Sequence, residues 1–150
     1  MAELEGYNFP DELYYHQEHA WARLEDGGTI TVGMTDFAQE NAGEIAYIDM
    51  PMEDDEVEQN GVVAKIQTAK WVGKLLSPVS GAVTEANEDV ADQPELINEN
   101  PYENWVAKIR PSKWEEEQKT LLRAGTPEMM AWLKKEIERV EKEKAESGNK

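Results

Sequence analysis

From His19 onward, polar and apolar residues alternate in short runs, the period of strands half buried in a sheet. His19 to Leu24 alternates, Gly27-Gly28 supplies a turn, and Thr29 to Met34 resumes, which predicts a hairpin. Thr35 caps a predicted short helix through Asn41, with Phe37 and Ala38 on its buried side and Gly43 as its stop. Glu44 to Met50 reads as a strand ended by Pro51. Glu53 to Glu58 holds five acids in six residues and reads as a solvated loop. Val62 to Thr68 alternates again, with Val62, Ala64, Ile66 and Thr68 on one face and Val63, Lys65 and Gln67 on the other. A further strand runs from Trp71 to Ser77, and Pro78-Val79-Ser80-Gly81 turns the chain into Ala82 to Ala86. A polar stretch, Asn87 to Glu99, precedes a last strand over Trp105 to Ile109. Many short strands at close spacing predict a small barrel or sandwich.

Past Pro111 the period lengthens to that of a helix. Lys113 to Arg123 predicts one, with Trp114, Leu121 and Leu122 packing and Gly125 closing it. Thr126-Pro127-Glu128 starts another, a capping threonine followed by proline in the first turn. In it Met129, Trp132, Leu133, Ile137 and Val140 recur at helical spacing, a stripe that reads as a packing face, with a partner-binding helix as the alternative. The chain thus divides into a β domain over residues 1–111, helices over 112–146 packed on that same domain, and a frayed tail over 147–150.

Composition narrows the chemistry. There are no cysteines, so disulfides, thiolate metal sites and cysteine nucleophiles are excluded, and any sulfur chemistry must arrive on an attached group. His16 and His19 are too few for a histidine-rich metal site, and no ligand spacing organises the acids, so no metal is expected. A net charge of −17 argues against nucleic acid as a partner. From Lys134 onward six basic and five acidic side chains balance, so the negative charge sits on the first 133 residues. Such a body favours solubility and steers encounters with basic surfaces, and suggests a monomer making transient contacts. No apolar run is long enough to span a membrane and no secretory signal opens the chain, so the expected location is the cytoplasm.

One lysine stands apart from its neighbours Lys65 and Lys74. Lys70 falls where one alternating strand ends and the next begins, the predicted tip of a tight hairpin, where an acylating enzyme could reach its amine. Gln67-Thr68-Ala69-Lys70, followed by Pro78-Val79-Ser80-Gly81, resembles the attachment hairpin of the glycine cleavage H-protein family. The resemblance extends through Glu18-His19-Ala20-Trp21, Thr31-Val32-Gly33-Met34-Thr35 with Ala38-Gln39, Gly43-Glu44, Asp49-Met50-Pro51, Pro94-Glu95-Leu96-Ile97-Asn98, Asn100-Pro101-Tyr102 and Trp105, in order, over roughly residues 13–110. It implies a mainly β, lipoyl-domain-like flattened barrel or sandwich (a barrel-sandwich hybrid) with short helices and an extended C-terminal helical segment. It further implies a carrier, not an enzyme, with lipoate amide-linked to Lys70 and an arm that tucks into a cleft. Gly43, Glu44, Asn98 and Tyr102 are the candidate cleft residues, and each also reads as turn or corner packing. The implied partners are a lipoate ligase or transferase, glycine decarboxylase, aminomethyltransferase and dihydrolipoamide dehydrogenase.

Departures from the family pattern leave the pathway open. Gln67 replaces the acid usual three residues before the lysine, Lys65 and Trp71 replace small residues, Lys74 falls where an acid is frequent, and Pro101-Tyr102-Glu103-Asn104-Trp105 lacks a glycine. The arm could carry aminomethyl in glycine cleavage, or a sulfur intermediate for a heterodisulfide-reductase-like complex, as in related sulfur-oxidation carriers. Other readings are an unmodified structural relative, a biotinyl-type carrier, which Ala69 and Trp71 disfavour, and an enzyme using His16 or His19 with nearby acids.

Overall fold

The computed structural model of the chain describes residues 2–69 and 72–148. Two strands absent from the sequence reading, β1 (Ala2–Leu4) and β2 (Tyr7–Phe9), form an N-terminal hairpin. Next come β3 (Tyr14–Tyr15), β4 (Ala20–Leu24) and β5 (Ile30–Met34), with Gly27 and Gly28 both at positive φ between the last two. Helix α1 (Asp36–Ala42) starts where Thr35 accepts a hydrogen bond from the Ala38 amide and stops at Gly43, at φ 86°. Strands β6 (Ile45–Asp49), β7 (Glu56–Val57), β8 (Val62–Thr68), β9 (Val72–Leu76) and β10 (Gly81–Ala86) follow. Then come helices α2 (Glu88–Asp92) and α3 (Leu96–Glu99) and strand β11 (Ala107–Pro111). The chain ends with α4 (Trp114–Glu117), a 3-10 turn over Gln118–Thr120, β12 (Leu122–Arg123) and α5 (Pro127–Gly148).

The fold is mainly β, as expected. Seven strands in the order β12-β3-β4-β5-β11-β10-β7 form one layer and β6-β8-β9 the other, an unclosed sandwich. Between them lies a core of aliphatic side chains that includes Ile30, Val32, Ile45, Ile66, Leu75, Val83 and Ile109. A second cluster is aromatic, with Phe9, Tyr15, Trp21 and Phe37 packed against Met129 and Leu133 of α5. The stripe on α5 is therefore a packing face. Among the described residues, no helix is long and apolar enough to cross a membrane.

Four local expectations fail, the first three for a tertiary reason. The register of β8 against β9 shifts between Val62 and Ala64, so Val63 turns inward and Val62 is exposed, breaking the predicted alternation. The acid-rich loop contains β7, because the edge of β10 takes backbone partners there: Asp54 N–H donates to Val83 O and Val83 N–H to Asp55 O, both at 2.8 Å. The helix expected over Lys113–Arg123 ends at Glu117. Its buried carboxylate accepts from Ser80 N at 2.7 Å and Ser80 Oγ at 2.6 Å, and the chain beyond pairs Leu122 and Arg123 with β3. The last helix continues through Ser147 and Gly148, read earlier as a frayed tail, while Asn149 and Lys150 lie outside the described residues.

Two motif glycines have steric causes. A Cβ on Gly33 would stand 2.5 Å from the buried Trp21 ring, and one on Gly81 would stand 2.1 Å from the Arg110 carbonyl oxygen. Backbone cannot yield as a side-chain tip can. Gly81→Ala is expected to destabilise by about 2 kcal/mol or more, read as a lower denaturation midpoint with an unchanged m-value.

Helix α5 is also tied to the body through His19, whose imidazole is sandwiched between Phe37 and Trp132, each 5.0 Å away. His19 Nε2 lies 2.6 Å from Glu136, and Trp132 Nε1–H donates to the Gln17 carbonyl at 3.1 Å. The hydrogen bond from His19, with a smaller one from Arg139, holds the Glu136 carboxyl at about 2 against the opposing effect of burial. A carboxyl depressed on folding stabilises the fold fully above its unfolded value and ceases to do so as pH falls through the folded one. The Tm difference between the native chain and Glu136→Gln should therefore shrink as pH falls from about 4.5 to 2.

Candidate functional site

Strand register places the site. Strand β6 runs antiparallel to β8 with Ile45 opposite Thr68, and β8 runs antiparallel to β9 with Gln67 opposite Val72. Ala69, Lys70 and Trp71 fall between these pairs in sequence. Lys70 and Trp71 lie outside the described residues. The flanking Gln67 and Ala69 are exposed, and so is Val72.

Gly43 and Glu44 immediately precede Ile45, so the pairing of Ile45 with Thr68 brings them to the same end of the sheet as Ala69. A cleft of about 530 Å³ opens there, lined by Gln39, Glu40, Gly43, Glu44, Glu95, Asn98 and Glu99. Three of the four candidate cleft residues thus come together: Gly43, Glu44 and Asn98. Their positions have a common cause in the Asn98 side chain. Its Nδ2 donates to the Gly43 carbonyl at 2.8 Å and to Gln39 Oε1 at 3.2 Å, while its Oδ1 accepts from the Ile45 amide at 2.8 Å.

Tyr102 is the exception, for it does not line this cleft. Its ring lies 6.0 Å from that of Trp21, in the aromatic cluster. Its hydroxyl donates to the Asn8 carbonyl and accepts from the Asp36 amide, and burial pushes its ionisation well above the usual tyrosine range. The candidate assignment is corrected accordingly: Tyr102 seats the N-terminal hairpin against α1.

Four lining residues were not named as cleft positions: Gln39 and Glu95, which fall in the quoted motifs, and Glu40 and Glu99, which do not. Glu95 and Glu99 lie at or in α3, within the stretch expected to be polar and without a helix. A signal was present there, since Asn87 caps α2 ahead of Glu88 and Asp89, and Val90 and Ile97 are both buried. The two histidines weighed as acid–base groups are committed to packing. His16 accepts from the Glu18 amide at Nδ1 and contacts Asn60 at Nε2, and His19 forms the contact to α5.

The fold and the cleft can now be set beside known proteins. A model of the glycine cleavage H-protein family matches residues 13–136. This chain belongs to that family. It is 45% identical over 124 residues to a probable glycine cleavage system H protein of Thermococcus gammatolerans, covering 83% of this chain and 92% of the relative. A glycine cleavage system H protein of Staphylococcus carnosus is 40% identical over 102 residues, 67% of this chain and 80% of that one. A crystal structure of the H protein from Mycobacterium marinum superposes with a TM-score of 0.68 at 26% identity, over 77% of this chain and 93% of that one. The family carries lipoate covalently on a lysine.

Removing Asn98 would leave the Ile45 amide and the Gly43 carbonyl unpaired beside the cleft. Asn98→Ala is expected to lose about 2 kcal/mol and to accelerate hydrogen exchange at the Ile45 amide more than at strand centres such as Val32.

Proposed function

We propose that the chain is the lipoyl carrier of a glycine cleavage system, with Lys70 as the lipoylated lysine. The reading rests on one observation above others: the β6–β8 register sets a cleft beside the hairpin in whose sequence Lys70 falls. Lipoate supplies a dithiolane that opens to hold a group on one sulfur and closes again on oxidation. The chain, with no thiol of its own, needs that attached group for any sulfur chemistry.

What the polypeptide contributes is presentation, shelter and charge. The exposure of Gln67, Ala69 and Val72 lets an acylating enzyme approach the hairpin without unfolding the sheet. A tether then keeps its cargo at high effective concentration near successive active sites. The cleft offers that cargo a shallow, open seat, its mouth held by Asn98. Glu40, Glu44, Glu95 and Glu99 surround it with carboxylates. Such a rim attracts a protonated amine and repels an anionic sulfur group, which favours the glycine pathway over the sulfur-oxidation one. The partners this role requires are a lipoate ligase or transferase, glycine decarboxylase, aminomethyltransferase and dihydrolipoamide dehydrogenase. The acidic body suits a monomer that meets each in turn.

Intact-mass measurement after incubation with lipoate and a lipoate ligase should show a single lipoyl adduct, absent from Lys70→Arg. An adduct that survives the substitution, or none on the native chain, overturns the assignment. The lipoylated chain should also support glycine–carbon dioxide exchange by glycine decarboxylase. Failure there, with turnover by a heterodisulfide-reductase-like complex instead, would transfer it to the sulfur pathway.

A further inference from the structure

The outer face of the β6–β8–β9 sheet differs from the rest of the surface. Cross-strand pairing arranges its side chains in rows: Tyr47, Gln67 and Val72 nearest the hairpin end, Asp49, Lys65 and Lys74 next, then Val62 beside Leu76. Tyr47 is 58% exposed, Val72 73% and Val62 41%, so apolar surface lies open on both sides of the charged row. Lys65 and Lys74 are both exposed, and neither forms an ion pair among the described residues.

Two physical points make this face unusual. Lys65 stands directly opposite Lys74, and like charges opposed on neighbouring strands destabilise a sheet. The first 133 residues carry nine basic and 27 acidic side chains, whereas these rows carry two lysines and one acid. Lys65 lines a hollow together with Asp49, Asp55 and Glu56 at the end away from the hairpin, whereas Lys74 does not line it. An acidic partner is repelled by most of the body, the carboxylates around the cleft included, and finds its cationic contacts at Lys65 and Lys74.

We propose that this face is the docking surface for the enzyme that loads the arm, and that it engages an acidic, partly apolar rim at the mouth of that enzyme's channel. The lysines orient the encounter, and burial of Tyr47 and Val72 holds it. The identity of the partner rests on the function proposed above; the polarity of the face does not.

The test uses the full lipoylated chain with glycine decarboxylase from the same organism, after intact mass and thermal melting show each variant lipoylated and folded like the native chain. Lys65→Glu with Lys74→Glu should raise the KM for the carrier in glycine–carbon dioxide exchange about tenfold or more, leave kcat unchanged and flatten the dependence on salt. Tyr47→Ser should raise KM without altering that salt dependence. A KM that the double reversal leaves unchanged or lowers, with native exchange intact, overturns the docking face alone. Absence of exchange with the native carrier overturns the pathway and the named partner together.

Discussion

A single side-chain amide holds the functional end of this molecule together. Asn98 lies on a four-residue helix and bonds to the end of α1 and the start of β6, elements that follow each other through the short turn at Gly43. The start of β6 fixes its register on β8, and β8 fixes β9, so the hairpin and the cleft share a reference point. A carrier needs that arrangement more than it needs a strong core. The mouth of the cleft is set by four hydrogen bonds of one asparagine side chain.

The sequence displayed the elements that obey local rules and concealed those set by distant chain. The hairpin β4–β5, the capped helix α1 and the stripe on α5 could be read because each carries its own periodicity and turn chemistry. Strand β7 could not, since its acidic residues say loop and only the edge of β10 says strand. Val62 and Val63 exchange faces through a bulge that alternation cannot anticipate. Around the cleft, Gly43, Glu44 and Asn98 could be named from family motifs, while Glu99 becomes a neighbour of Glu40 only once α3 folds beside α1. Tyr102 carried the same motif evidence and serves packing instead. Residue pattern identifies which positions matter more readily than it says for what.

Charge is distributed as unevenly as structure. Acids surround the cleft, a balanced helix covers the aromatic core, and one sheet face sets two lysines directly opposite each other. An overall count of −17 conceals this. Long-range fields act through the sum and short-range docking through the patches, so the same chain can be repelled by a surface at a distance and fit it on contact.

Helix α1 has one shoulder in each of the two cores. Phe37 belongs to the aromatic cluster under α5, whereas Ala38 and Ala42 pack against the aliphatic one, and the helix ends at the cleft. It therefore joins the packing beneath the C-terminal helix to the residues that line the cleft. A change of side chain on the inner face of α5 thus reaches the cleft through a single short helix, at a distance from the exposed face of the β6–β8–β9 sheet.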